Sequence, residues 1–359
     1  MALNTETLTW LKQLAEVPGA SGFEGRVKKL LADRLQGCTE ITHDKIGSII
    51  FKQQGTAGAP KIMLASHMDE IGFMIKHITK EGFLKFTTLG GWWEQVMLGQ
   101  RVTVLTAKGD LPGVIGSKPP HILTPEERKK IVPKKDMYID IGAANEEEAR
   151  RLGVRPGDAV VPYSEFTVMA NPQFLLAKAW DNRVGCAIMS DVLLALQGES
   201  HPNTVYGVGT VQEEVGLRGA KTSSGVIDPD LALAIDTCVA GDTPGVTSDQ
   251  ASSKLGKGVA ISIYDASMIP HTKLRDFVIE TAEQNQIPYQ LEFTEGGGTD
   301  AGRIHIHGQG VPSLVLSIPT RYLHSHNSVI HSGDYEAAVR LLVAVLKRLD
   351  ETQYKEMVI

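Results

Sequence analysis

Apolar residues recur at helical spacing over residues 5–17 (TETLTWLKQLAEV) and again over 24–36. At KIMLAS, residues 61–66, the spacing gives way to an unbroken apolar run of strand length that stops at HMDE. From 71 to 163 the texture changes to short alternating segments broken by turn residues: FMIKHIT, FLKFTTLGG, RVTVLT, LPGVIGS, DMYIDIG and GDAVVPY. Only 145–152 reads as a helix in that stretch. Beyond 163 long elements return. DNRVGCAIMSDVLLALQ is helical, TVYGVGTVQ and DLALAID are strands, HTKLRDFVIETAEQN is a helix, PSLVLSIP is a strand, and a last helix covers 334–351.

Helices alternating with buried strands imply an α/β fold, a mainly parallel sheet flanked by helices. The β-rich stretch interrupts it. Residues 1–70 and 164–359 are therefore expected to form one split α/β domain, and 71–163 a small inserted β-rich domain.

Composition narrows the function. The 359 residues are 42% hydrophobic and 22% charged, with a formal net charge of −6. That balance has no basic footprint for nucleic acid. The N-terminal stretch is polar and amphipathic rather than a signal peptide, and LLVAVL near the other end is too short to span a bilayer. Cys38, Cys186 and Cys238 are odd in number and far apart, which fits free thiols in a reducing cytoplasm.

The chemistry lies where the apolar strands stop. The first ends at His67, with Asp69 two residues on. TVYGVGTV ends at Glu213 and Glu214, LALAI at Asp236, and LVLSI leads to His324 in RYLHSH. Asp181 precedes the long helix. Ligands bind outside the carboxyl ends of strands in open α/β sheets. A single such residue would read as a cap or turn former; the repeated set does not. Two histidines and several carboxylates make an N/O donor set suited to zinc, cobalt or manganese. Five ligands with one bridging carboxylate can hold two ions about 3.5–4 Å apart. Asp69, at i+2 from His67, is placed to orient that imidazole.

HMDEIGFM, AKAWDNRVGCA, VQEEVGLRGA, AIDT, GGGTDAG and RYLHSH stand in the order seen in the tetrahedral (TET) aminopeptidases, the glutamyl and deblocking aminopeptidases among them. The chain resembles that family over nearly its whole length, SKPPH of the insert included. The resemblance implies a phosphorylase/peptidase-like catalytic domain with a barrel-like dimerisation insert. It also implies an exopeptidase with two divalent ions per chain, zinc or cobalt first and manganese also suited. His67 and Asp236 would hold one ion, Glu214 and His324 the other, and Asp181 would bridge them. Glu213 would be the general base and Asp69 the aspartate that orients His67. The partners implied are peptides and further copies of the chain, through dimers to a dodecamer.

The adjacent glutamates then have separate work: Glu214 holds metal while Glu213 moves a proton. His326 is expected near the ligands but not among them, and His305 and His307 in structural roles. GGGTDAG lacks the signatures of a phosphate loop and reads as a tight turn into a helix beside the site. Trp92 and Trp93 read equally as an interface or as the insert's core. Two other functions compete. An endoglucanase-type glycoside hydrolase needs two carboxyls across a sugar bond and leaves the histidines and Asp236 without purpose. A non-catalytic metal-bound scaffold leaves Glu213 without purpose.

Overall fold

In the computed structural model, which describes residues 3–358, three strands form before the insert: β1 (Glu40–His43), β2 (Ile49–Gln54) and β3 (Lys61–His67). Six strands follow, β4 (Gly72–Ile78), β5 (Leu84–Leu89), β6 (Arg101–Thr106), β7 (Gly109–Gly116), β8 (Tyr138–Asp140) and β9 (Ala159–Pro162), and they close into a barrel. Then come β10 (Thr167–Val168), β11 (Phe174–Ala177), β12 (Thr204–Thr210), β13 (Leu231–Val239), β14 (Val259–Asp265), β15 (Tyr289–Thr294), β16 (Ser313–Thr320) and β17 (Ser328–His331).

The large sheet has the order β1-β2-β12-β3-β13-β16-β14-β15. Its centre, β12, β3, β13 and β16, is parallel, so these four strands end on one edge. The β2–β12 and β14–β16 pairs are antiparallel. The central strands read as apolar runs because both faces are covered; every residue of β16 is buried. On one face lie the helices Thr5–Glu16, Trp180–Leu196 and Ser332–Arg348, whose Leu11, Leu14, Trp180 and Leu342 join the main core. Truncating a core side chain such as Leu11 to alanine costs about 2–5 kcal/mol. On the other face the helix Arg218–Ile227 packs Ala220 and Ile227 against Met63, Val208 and Ala232.

The barrel has its own core of Phe73, Phe86, Val104, Ile115 and Ile139. Trp92 belongs with it: the ring stacks on Phe73 at 4.6 Å, and Nε1–H donates to the Gly72 carbonyl at 3.1 Å. Trp93 points out and is 58% exposed. Trp92 thus takes the core role its sequence allowed, and Trp93 does not. Among the described residues no helix is long and apolar enough to cross a membrane.

Two differences from the pattern reading stand out. β14 and β15 were not anticipated. IPYQLEFT is too polar to read as a strand; it pairs on one side only, at the edge of the sheet. The last helix starts at Ser332 and stops at Arg348, and a separate helix, Glu351–Val358, follows.

Candidate active site

His67 is the last residue of β3, and Glu213 and Glu214 follow the end of β12. Asp236 is inside β13, which runs on to Val239 because Thr237, Cys238 and Val239 keep pairing with β16. His324 lies just past β16, and Asp181 stands at a kink at the start of the helix Trp180–Leu196, with a non-helical backbone (φ −80, ψ 103), so that it precedes the regular helix as its sequence suggests. Five non-glycine residues here take left-handed backbone angles: Ala179 (φ 56), Gln212 (φ 56), Leu217 (φ 58), Tyr322 (φ 61) and His324 (φ 54). Each such position costs about 1–2 kcal/mol. Strain of this kind gathers where side chains must be aimed rather than merely packed.

The aiming brings all six candidate donors together. Asp181 Oδ1 is 3.0 Å from His67 Nε2, and Asp181 Oδ2 is 3.4 Å from His324 Nε2. One carboxylate therefore presents one oxygen to each histidine. Glu213 Oε2 and Asp236 Oδ1 each lie 3.8 Å from His67 Nε2, and Glu214 Oε1 lies 3.5 Å from His324 Nε2. His67, Glu213 and Asp236 form one group able to hold an ion, and Asp181, Glu214 and His324 a second; within each, the donor atoms are within 4.8 Å of one another. Ligands about 2.1 Å from a tetrahedral ion sit roughly 3.4 Å apart, so the spacing fits. The buried Glu214 Oε1 has no hydrogen-bond partner, as expected of an atom reserved for a cation.

Electrostatics point the same way. Burial, and then neighbouring carboxylates, push Glu213 and Asp236 well above the usual carboxylate range. Burial and the charge of Asp181 push Glu214 up to about 8. Burial disfavours the imidazolium of His324, but Asp181 and Glu214 outweigh it and raise the pKa to about 9. Asp181 is buried too, yet hydrogen bonds from His324 and His67 hold it well below its ordinary value. Four carboxylates at close quarters take up protons unless cations replace them.

Asp69 is fully buried beneath the candidate ligands. Its backbone carbonyl, not its carboxylate, is the atom 3.0 Å from His67 Nδ1; the carboxylate is 3.6 Å away. The carboxylate instead accepts the backbone N–H groups of Glu213 at 3.0 Å and Glu214 at 3.2 Å, and the Ser21 hydroxyl at 2.6 Å. His326 is buried near Trp92, at 5.3 Å between ring centres, and its ring nitrogens have no partner. His305 and His307 lie apart from the site, on the Ala301 carbonyl and on Asp228.

Other contributors lie inside the quoted motifs but carry no local mark of their role. Arg183, fully buried, donates to the carbonyls of Leu14, Val17 and Met68, and with Lys178 to Glu70. This ties the helix bearing Asp181 to the strand end bearing His67. Asp300, in GGGTDAG, accepts the Thr210 hydroxyl at the end of β12. From the barrel, Gly90 lies so close that a Cβ there would sit 3.0 Å from Glu214 Oε2. Beside the candidate ligands opens a cavity of about 680 Å³.

Residues 47–341 match the M42 glutamyl aminopeptidase family. A TET aminopeptidase from a marine sediment archaeon of the Thaumarchaeota superposes with a TM-score of 0.96 at 49% identity, covering 98% of this chain and 99% of that one. The Pyrococcus horikoshii TET1 peptidase, which can assemble into a tetrahedron or a large octahedral shell, superposes with a TM-score of 0.86 at 36% identity, covering 96% of this chain and 100% of that one. The glutamyl aminopeptidase of Lactococcus lactis is 35% identical over 354 residues, 97% of this chain and 98% of that one. The chain belongs to the M42 glutamyl aminopeptidase family and is a hydrolase of peptide bonds.

Proposed function

We propose that the chain removes N-terminal residues from short peptides, using two divalent cations shared by His67, Asp181, Asp236, Glu214 and His324. The observation that carries this is Asp181, one oxygen toward each histidine. Zinc or cobalt suits the donors best, and manganese less well. Bound there, the cations would supply Lewis acidity and a water of lowered pKa. Glu213 then has a general base's position: buried, close to His67 and in the cavity wall. It takes a proton from the attacking water and returns it to the leaving amine. Asp69 fixes the backbone of Glu213 and Glu214, and its carbonyl sets the ring of His67.

The dodecamer, tetrahedron and octahedral shell named for solved relatives support self-association of this chain; its route through dimers and the barrel as the contact surface are part of the proposal. Three free cysteines support a cytoplasmic setting.

The test is to strip metal to near zero, measure the residual content, and reload zinc, cobalt or manganese against aminoacyl anilides, an N-acetylated peptide and a soluble glucan. Anilide cleavage that returns with metal is expected, with the blocked peptide and the glucan untouched. Full turnover without metal, or glucan cleavage, would sink the proposal.

A further inference from the structure

The cavity beside the candidate ligands continues past them across the sheet. Asp236 on β13 is paired with Ser317 on β16, Ser317 with Ala260 on β14, and Ser262 on β14 with Glu292 on β15. Partners in register, and residues two apart, share a face of a sheet. Asp236, Ser317, Ser262 and Glu292 therefore form one polar row along the floor, and all four line the cavity. Glu292 stands three strands from Asp236, about 14 Å at roughly 4.8 Å per strand.

Glu292 is only 4% exposed, although it sits on the edge strand. Its Oε2 accepts the Thr294 hydroxyl at 3.2 Å. Burial, with the nearby charge of Asp265, raises its pKa above the ordinary carboxylate value, although the hydroxyls of Ser262, Thr294 and Ser317 favour its ionised form. Among the described residues it forms no ion pair, and no lysine or arginine lines the cavity. Asp265, the other acid on this side, is already engaged. Its Oδ1 accepts the backbone N–H and hydroxyl of Ser267, and its Oδ2 accepts the Thr299 hydroxyl. Glu292 is thus a buried carboxylate held by hydroxyls and without a cation. Leu217, Val239 and Leu323 give the same cavity apolar walls.

We infer that this end of the cavity receives the side chain of the substrate's N-terminal residue and selects a long cationic one, lysyl or arginyl, with Glu292 as the specificity-determining carboxylate. The inference rests on the aminopeptidase reading of the same site. A (CH₂)₃ or (CH₂)₄ stem lies along apolar wall while its charged head meets the carboxylate. An acidic side chain would bring a second anion to an unpaired one. An aliphatic side chain would bury Glu292 further and leave its charge without a counter-ion, which is costly.

Two measurements on the metal-loaded protein test this. The first compares kcat/KM for lysyl, arginyl, leucyl and glutamyl anilides. Wild type should favour lysyl and arginyl. Glu292→Gln should lower the lysyl-to-leucyl ratio about 10- to 100-fold, the span of one hydrogen bond to a charged group. Glu292→Asp should restore part of it. The second is calorimetric titration with free L-lysine and with L-norleucine, which keeps the stem and lacks the ammonium. Wild type should bind lysine at least ~10-fold more tightly, and Glu292→Gln should erase the difference. A wild-type preference for leucyl or glutamyl anilides, or equal lysine and norleucine affinities, overturns the assignment. If no anilide is cleaved, the aminopeptidase reading fails, and the titration still decides whether Glu292 holds an ammonium.

Discussion

The carboxylate of Asp69 accepts the backbone N–H of Glu213 at 3.0 Å. It thereby links the residue after His67 and Met68 to the turn that carries both glutamates. Its other oxygen takes the Glu214 N–H and the Ser21 hydroxyl, so every donor on it is a group that would be orphaned without it. Asn in place of Asp69 keeps one acceptor and turns an NH₂ toward N–H donors. We expect Asp69→Asn to weaken metal binding and turnover together, each by about 10- to 100-fold, the usual cost of disturbing groups that hold metal ligands. Metal titration and kcat on the same preparation check this. Wild-type values for both would show that the backbone tether is dispensable.

Glu213 and Glu214 differ in what their oxygens meet. Glu214 Oε1 is buried beside His324 without a hydrogen bond, whereas Glu213 Oε2 faces His67 and lines the cavity. Glu213→Gln should therefore keep two metals per chain and lose about 10²- to 10⁴-fold in kcat, because an amide cannot take the proton. Glu214→Gln should lose metal from one site. Elemental analysis with kcat separates them, and two variants alike in both would refute the division.

Much of this site could be read from the chain because it sits where apolar runs stop. KIMLAS, TVYGVGTV and LVLSI are buried on both faces, so their ends are visible, and each end carries a donor. What escaped notice has no local signature. Arg183 touches residues more than 100 positions away, and only folding brings Glu70 to it and to Lys178. Glu292 escaped because β15 is a polar edge strand, in which a glutamate looks solvated. Asp69 was expected to meet His67 through its carboxylate. Period-two geometry puts both on one side, but it does not say which oxygen arrives, and the backbone carbonyl does.

Stability of the metal-free protein should depend on pH with a definite sign. Glu214 holds its proton up to about 8 when folded, against an ordinary 4.5, and His324 up to about 9, against 6.5. Between pH 6.5 and 8 the folded chain therefore binds more protons than the unfolded chain, and stability falls as pH rises. The opposing effect of Lys178, lowered to about 8 by burial, enters above that window. A cation needs these same groups deprotonated, so its stabilisation grows with pH. Thermal melts at pH 6.5, 7.2 and 8.0, in chelator and in zinc, should show Tm falling in the first series and the zinc increment rising. A chelator series that is flat or rises would contradict the charge assignments.

Assembly should depend on the outside of the barrel. Its core is filled by Phe73, Phe86 and their neighbours, yet Ile122 and Ile131, in the loops between β7 and β8, are 65% and 54% exposed. Two apolar side chains left in water on a domain that already has a core fit a surface covered by another copy. The candidate ligands lie elsewhere, at the ends of β3, β12 and β16, so the two properties can be separated. Wild type should show a native mass several times that of one 38.9 kDa chain by light scattering. Ile122→Glu with Ile131→Glu should reduce that mass, because charges buried in an apolar contact lack partners. The smaller particle should still bind metal and cleave short anilides, while losing any discrimination against longer peptides that a closed shell imposes. A wild-type mass of one chain would remove the assembly outright. A double variant of unchanged mass would place the contacts elsewhere on the protein.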